Sequence, residues 1–351
     1  MRKSNCPLSL SPILLLAIAL LFPLALFAAE QAAPPVETPL PATDQTPQAM
    51  EPIVPLPVPA VPGAEQPTIE SSRNYLSGKI ANFASSIDRF FGGNRHYQES
   101  NDSVIQLNLT RVMGYGGYDT FKFETRVNLK LPVTEGKMRL LVETDPETNI
   151  AAEPIPGSSV LRNKVVIPRS AALAARFATE VKGVWHFSTD AGLRLPIPIT
   201  PFVRARGRYS IPLKDWRLNA EESVYWFNSV GVGETTQFDL ERIISTPLLF
   251  RASSNATWLY DKQNFDLHQD LTLFHQLNER TALRYQAGVT GVSNPQLEMT
   301  DFVLLVFYRY RLHRQWLFFE ISPQLHFPKE NDYRSSPTLS MRLEMLFDES
   351  R

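Results

Sequence analysis

Phe121-Lys122-Phe123-Glu124-Thr125-Arg126-Val127-Asn128-Leu129-Lys130-Leu131 alternates without a slip. Apolar or neutral residues hold every odd position, and Lys122, Glu124, Arg126, Asn128 and Lys130 hold every even one. A β-strand sends successive side chains to opposite faces, so this stretch predicts a strand with one apolar and one charged face. Four ionisable groups on one face need water, and the opposite face needs oil. The core between two packed sheets offers those charges no water. A closed barrel with lipid outside and a wet lumen inside suits both faces.

The rest of the chain is compatible with that reading. At 351 residues it is long enough for one large barrel and an appendage. The formal net charge of −1 gives no electrostatic case for nucleic acid. A hydrophobic fraction of 43% and a mean hydropathy of −0.17 are ordinary for a soluble protein, and also for a barrel in which half of each strand is polar. Arg2 and Lys3 precede an apolar run from Ile13 to Ala29, the positive region and hydrophobic region of a secretory signal over residues 1–29. Cys6 precedes the apolar run and cannot be a lipid-bearing cysteine at its end. Cleavage would remove it and leave no thiol or disulfide chemistry.

Residues 30–68 are proline-rich, with P-I-V-P-L-P-V-P-A-V-P at 52–62. Proline removes donors and fixes φ, so this segment reads as an extended linker. At about 3.1 Å per residue it would reach on the order of 100 Å. Residues 69–93 change character. Leu76, Ile80, Phe83, Ile87 and Phe90 fall at spacings of four and three, the stripe of an amphipathic helix, and Gly92-Gly93 stops it. Such a helix would pack on a barrel rim or on a copy of itself. Alternatively it would plug the lumen or dock a periplasmic partner.

From residue 101 to 347 the pattern is repeated strands and turns. The expected fold is all-β: an antiparallel up-and-down transmembrane β-barrel of 12–14 strands behind the short N-terminal amphipathic helix. Fourteen candidate strands can be drawn, most near 11 residues. At about 3.3 Å per residue and a tilt near 40°, such a strand rises roughly 28 Å, enough for an outer-membrane apolar band. The short connections V-T-E-G, K-G, P-L-K-D, S-T-P, Q-L-N-E-R and L-H-R fall on one side, and the longest, 146–168, falls on the other. Trp185, Trp216, Trp226, Trp258, Tyr260, Tyr308, Tyr310 and Trp316 lie near strand ends, where aromatic girdles belong.

The last strand, L-S-M-R-L-E-M-L-F at 339–347, resembles the C-terminal assembly signal of Gram-negative outer-membrane proteins, although Asp348 to Arg351 follow its aromatic end. Gly233-Glu234-Thr235-Thr236 with Phe238 to Arg242 also resembles a segment of uncharacterised proteobacterial barrels of this size. These resemblances imply an integral outer-membrane location with the N-terminal segment in the periplasm, outer-membrane lipid as surroundings, and the barrel-assembly machinery as a partner in biogenesis. They imply no activity.

Strand parity supplies the lumen-lining, solute-binding candidates: Lys122, Glu124, Arg126, Lys130, Arg194, Arg204, Arg206, Arg208, Arg217, Asp239, Glu241 and Asp270, with Glu180, Asp190 and Glu221 among the acidic groups. Ladders of opposite sign on different strands would set a transverse field across a pore and tune ion selectivity. The arginines would favour anionic solutes. The preferred expectation is a porin-like passive channel for small hydrophilic solutes. The competing reading is that these charges pair across strands and fill the lumen.

Two other classes weigh against a channel. His186 and Ser188 share a strand face, as a base and nucleophile would in a lipid-modifying hydrolase. Asp190 shares that face without being placed at the ring nitrogen, and parity turns all three toward the lumen rather than toward acyl chains. His268 and Asp270 share a face in the same way. The six histidines show no metal spacing, and no phosphate loop or cysteine pair is present, so neither a catalytic centre nor a cofactor is expected. The third class is a structural anchor that docks a periplasmic partner through the 69–91 helix.

Overall fold

The computed structural model describes residues 69–92, 103–114, 118–131, 137–146, 170–181, 185–195, 198–228, 231–261, 263–294, 296–313 and 316–348. The expected export signal and proline-rich linker lie outside the described residues. Residues 1–71 and 72–351 separate into two compact units. The described part of the first is the opening turn of helix α1 (Ile69–Phe91).

The second unit holds the rest of α1 and fourteen antiparallel strands. These are β1 (Val104–Gly114), β2 (Tyr118–Lys130), β3 (Met138–Thr144), β4 (Ala171–Val181), β5 (Trp185–Arg194), β6 (Thr200–Leu213) and β7 (Trp216–Phe227). They continue as β8 (Gly231–Ser245), β9 (Leu248–Leu259), β10 (Asn264–Asn278), β11 (Thr281–Val292), β12 (Glu298–His313), β13 (Leu317–Pro328) and β14 (Ser336–Asp348). Each strand pairs with its sequence neighbours, and β1 pairs with β14, so the sheet closes. Closure leaves no unpaired sheet edge, which is what hydrocarbon demands of a spanning sheet. The count settles at 14. The even number puts the start of β1 and the end of β14 on one rim, here the proximal rim. The longest connection, 145–170, lies at the distal rim.

Register carries the opening alternation around the wall. Lys122, Glu124 and Arg126 stand opposite Thr110, Asn108 and Gln106 of β1, and Arg126 stands opposite Glu143 of β3. Phe121, Phe123, Val127 and Leu129 take the other face. On β13 the pattern is the same: Phe318, Glu320, Ser322, Gln324 and His326 are buried, while Leu317, Phe319, Ile321 and Leu325 are half-buried on the outer face. Apolar residues therefore face outward over most of the wall, and polar and charged residues face the lumen. This is the construction of an outer-membrane barrel.

Two aromatic belts frame the outer face. At the proximal rim Trp185 stacks on Tyr209 with centroids 4.3 Å apart, and Trp316 stacks on Phe347 at 5.3 Å. At the distal rim Trp258 meets Tyr260 edge to face at 6.0 Å. Trp216 and Trp226 mark both belts on the single strand β7.

Candidate functional site: the filled lumen

Every predicted lumen residue whose side chain is described lies on the inner face, and most have an ion partner beside them. β6 carries Arg204, Arg206 and Arg208 in a row because three successive inward positions are arginine. Register brings Asp190 of β5 level with Arg204, and Asp190 is also level with Arg176 of β4. Asp190 thus bridges two guanidinium groups, 2.6 Å from Arg176 Nε and 2.7 Å from Arg204 Nη2. Arg204 reaches on to Glu143 at 3.4 Å. Arg206 meets Glu221 at 3.1 Å and Ser223 at 3.2 Å. Arg208 lies between Glu221 and Asp239, at 3.8 and 3.9 Å. Lys122 pairs with Glu124 at 2.6 Å. Arg194 donates to the hydroxyl of Ser170 at 3.3 Å. Lys130 stands opposite Arg139 in register.

The segregation of charge by strand is present, but its consequence differs from a transverse field. Neighbouring strands bring opposite charges into contact, so most of the field closes locally. Burial follows: Arg176, Asp190 and Arg204 are each about 1% exposed. Buried guanidinium and carboxylate groups persist only when paired and hydrogen-bonded, which these are. A basic surplus remains on β2 to β6. There Lys122, Lys130, Arg126, Arg139, Arg176, Arg194 and the three β6 arginines outnumber Glu124, Glu143 and Asp190 among the described side chains.

A second network occupies the proximal side. Arg217 and Arg251 flank Glu241 at 2.6 and 2.8 Å, and Arg251 also holds Asp88 of α1 at 2.8 Å. Arg309 pairs with Glu344 at 2.7 Å, and Arg342 with Glu320 at 2.9 Å. Asp270 accepts from Gln286 at 2.9 Å and lies 2.5 Å from His268 Nε2. Sequence reading named Arg217, Asp239, Glu241 and Asp270 here. It missed Arg139, Glu143, Arg176, Arg251, Arg309, Glu320, Arg342 and Glu344, all of which carry the same parity signal on their own strands. Asp88 had no such signal, because its role depends on where the helix lies.

That place is against the inner wall. Phe90 packs edge to face on Phe318 with centroids 5.6 Å apart, and Phe91 packs on Phe274 at 5.4 Å. Both partners point inward. Arg284 lies over the Phe91 ring at 5.5 Å, and Arg309 and Arg311 lie over Phe90 at 5.9 and 5.7 Å. Gln106 of β1 donates to the Gly92 carbonyl at 2.9 Å. Gly92 has φ of +63°, and a Cβ there would come 2.2 Å from Glu344 Oε1. Only glycine suits both the left-handed backbone and that close approach.

These helix residues belong to one continuous buried apolar cluster. It runs from the proximal layer of Phe91, Phe274, Phe318 and Leu346 through Leu141 and Ala174 to the distal layer of Phe202, Tyr225 and Phe227. The distal layer is tightly fitted: Phe202 stacks on Phe227 at 5.0 Å, and the Tyr225 ring lies where a Cβ on residue 233 would be, 2.3 Å from its Cε2. Among the described residues, inner-face charges pair across strands as the competing reading expected, and the end of α1 packs with them.

The hydrolase candidates also face inward. His186 stands opposite Arg208, and Ser188 opposite Arg206, away from lipid. A histidine that sequence reading passed over, His326, is fully buried, with Asp301 and Gln324 each 3.0 Å from one ring nitrogen. Among the described residues no three His, Cys, Asp or Glu side chains group to hold a metal ion.

No family model and no curated protein matches the chain. Solved structures match it in part. OprB of Pseudomonas putida is 10% identical, over 73% of this chain and 97% of its own, with a TM-score of 0.44. The CymD monoaromatic hydrocarbon channel is also 10% identical, over 73% and 90%, with a TM-score of 0.45. The NanC porin is 10% identical, over 68% and 98%, with a TM-score of 0.37. Likenesses at this level bear on neither solute nor activity.

Proposed function

We propose that this protein is a porin-like outer-membrane channel for small hydrophilic solutes, held closed in its resting form by the C-terminal half of α1. The observation that carries this reading is the seating of Asp88, Phe90, Phe91 and Gly92 on lumen-facing residues of β1, β9, β10 and β13. A permanently filled barrel could close with side chains of its own wall. Here a separate element takes part, and the distal layer of Phe202, Tyr225 and Phe227 is continuous with it in one cluster, so withdrawing α1 would free the proximal mouth and loosen the distal layer. The basic surplus on β2 to β6 favours anionic solutes along the path so opened. The proximal rim, with its short connections and both ends of the strand order, faces the periplasm, and the distal rim with the 145–170 connection faces outward. The lumen charges serve selection and packing, with no catalytic role. An anchor that docked a partner through α1 would need the apolar stripe free. Ile80, Ala84, Ile87, Phe90 and Phe91 are each buried, which favours the plug.

Planar bilayers test this. The mature chain should conduct rarely, and the same chain lacking residues 30–91 should conduct steadily, with anions carrying more of the current. Silence from both proteins would overturn the channel reading. Equal steady conductance from both would overturn the plug.

A further inference from the structure

The outer face is not uniform. Away from the rims, the outward side chains on β12, β13, β14 and β1 are of the kind seen at Leu304, Val306, Ile321, Leu343 and Leu107. On β7 to β10 the outward face instead carries Glu222, Glu234, Thr236, Ser254 and Gln269, placed there by register: Glu222 opposite Thr236, Glu234 opposite Val224, and Ser254 opposite both Phe238 and Gln269. Glu222 lies on the same outward row as Trp216 and Trp226, between the two aromatic belts, and so at hydrocarbon depth. Exposed Val224 and Leu271 flank the patch and mark it as membrane-facing. Ionisable groups inside a membrane are costly and face protein or a partner rather than acyl chains.

The patch has two unlike flanks. On β7 and β8, Glu222 accepts from the Thr236 hydroxyl at 2.8 Å through Oε2, and its carboxyl group lies within hydrogen-bonding reach of that of Glu234. Glu234 lies diagonally beside it and adds a second acceptor. On β10, Gln269 uses its Oε1 to accept from Ser254 at 2.5 Å, so what this outward side chain offers a partner is the donors of its amide NH2. Between the flanks β9 presents Ala252, Ser254 and Ala256, of which Ala252 and Ser254 are recessed below their neighbours. Small residues allow two backbones to approach closely in a membrane, and polar side chains bond across such contacts.

We infer that this face is a two-fold interface with a second copy of the same chain. A two-fold axis along the membrane normal at β8 and β9 places β7 of one copy against β10 of the other. The acceptor flank of each copy then meets the donor flank of its mate, so the patch is complementary to itself, as an isologous contact requires. A different protein would have to bring donors and acceptors of its own in the same order. The inference is independent of whether the lumen conducts.

Cysteine cross-linking in native membranes tests it, in a Cys6→Ser background. Glu222→Cys and Gln269→Cys proteins co-expressed in one cell should form a disulfide dimer, while each variant alone should cross-link at least several-fold less. Native mass spectrometry of the unmodified chain from mild detergent should show a dimer. Ala256→Trp should convert it to a monomer that keeps the heat-resistant mobility of a folded barrel. The inference fails if the unmodified chain is a monomer and the 222–269 disulfide is absent. It also fails if Ala256→Trp leaves the dimer intact, or if a cysteine at Leu343 on the opposite wall cross-links as well as the 222–269 pair.

Discussion

Two arcs of the lumen solve the same electrostatic problem differently. On β3 to β6 the described ion pairs run from strand to strand, Glu143 to Arg204 to Asp190 to Arg176, and nearly all of this chain is out of water. On β9 to β14 the wall pairs its own charges and then turns some of them toward α1. Arg251 divides itself between Glu241 and Asp88, and Arg284, Arg309 and Arg311 cover the rings of Phe90 and Phe91. The first arc is structure. The second is structure that also holds the end of α1, and under the proposed function the difference separates residues that keep the barrel folded from residues that keep it shut.

The largest effect should come from breaking the first arc. Asp190→Ala leaves Arg176 and Arg204 buried without their shared anion, and breaking such a pair costs about 3–5 kcal/mol. Urea unfolding of the refolded barrel should show this loss, with gating of the surviving folded protein unchanged. At Gly92, alanine meets both a left-handed backbone, worth about 1–2 kcal/mol, and the carboxylate of Glu344. Gly92→Ala should unseat the plug and raise open probability while the barrel's urea midpoint moves little. Asp88→Ala removes one charged partner of Arg251, and Glu241 still holds that arginine. At about 1.4 kcal/mol for a hydrogen-bonded charge pair, the open fraction should rise about tenfold. Adding Arg251→Gln should contribute little more, because the pair would already be broken. The smallest effect belongs to selectivity. Replacing Arg204, Arg206 and Arg208 together by Gln in the chain lacking residues 30–91 should shift the reversal potential toward cations. An unshifted potential would place the conducting path away from β6.

Most of the wall was legible because a strand has only two faces. Once F-K-F-E-T-R-V-N-L-K-L is assigned its inner side, parity transfers to Arg204, Asp239 or Asp270 without knowledge of three-dimensional contacts, and the fourteen strands fall close to the stretches that alternate. Gly231 opens β8 three residues before the alternation is visible, since Gly231, Val232 and Gly233 carry no charge to mark a face. The pairing of charges was not legible. Whether Asp190 opposes Arg204 or the residue two positions away is fixed by register, and register depends on turn geometry and closure. The seat of α1 was less legible still. Its stripe announces that it buries one face, but Phe90 and Phe91 fit a rim, a partner or a lumen equally well as a sequence pattern. Glu222 was not singled out in the sequence, although its parity with Trp216 and Trp226 already places it on the outward row.

The seam between β1 and β14 bears on the order of events in folding. The described contacts that seat α1 come from β1 and from β9 to β13, with Glu344 of β14 beneath Gly92, and Asp88 finds Arg251 across 163 residues of chain. Contacts of such sequence separation form late, after the intervening loop has been closed. The helix leaves the ribosome before any strand, yet its seat is complete only when the last strand has joined the first. Until that seam closes, the seat of the helix lacks Gln106 and Glu344 beside one another, and α1 has no complete place to pack.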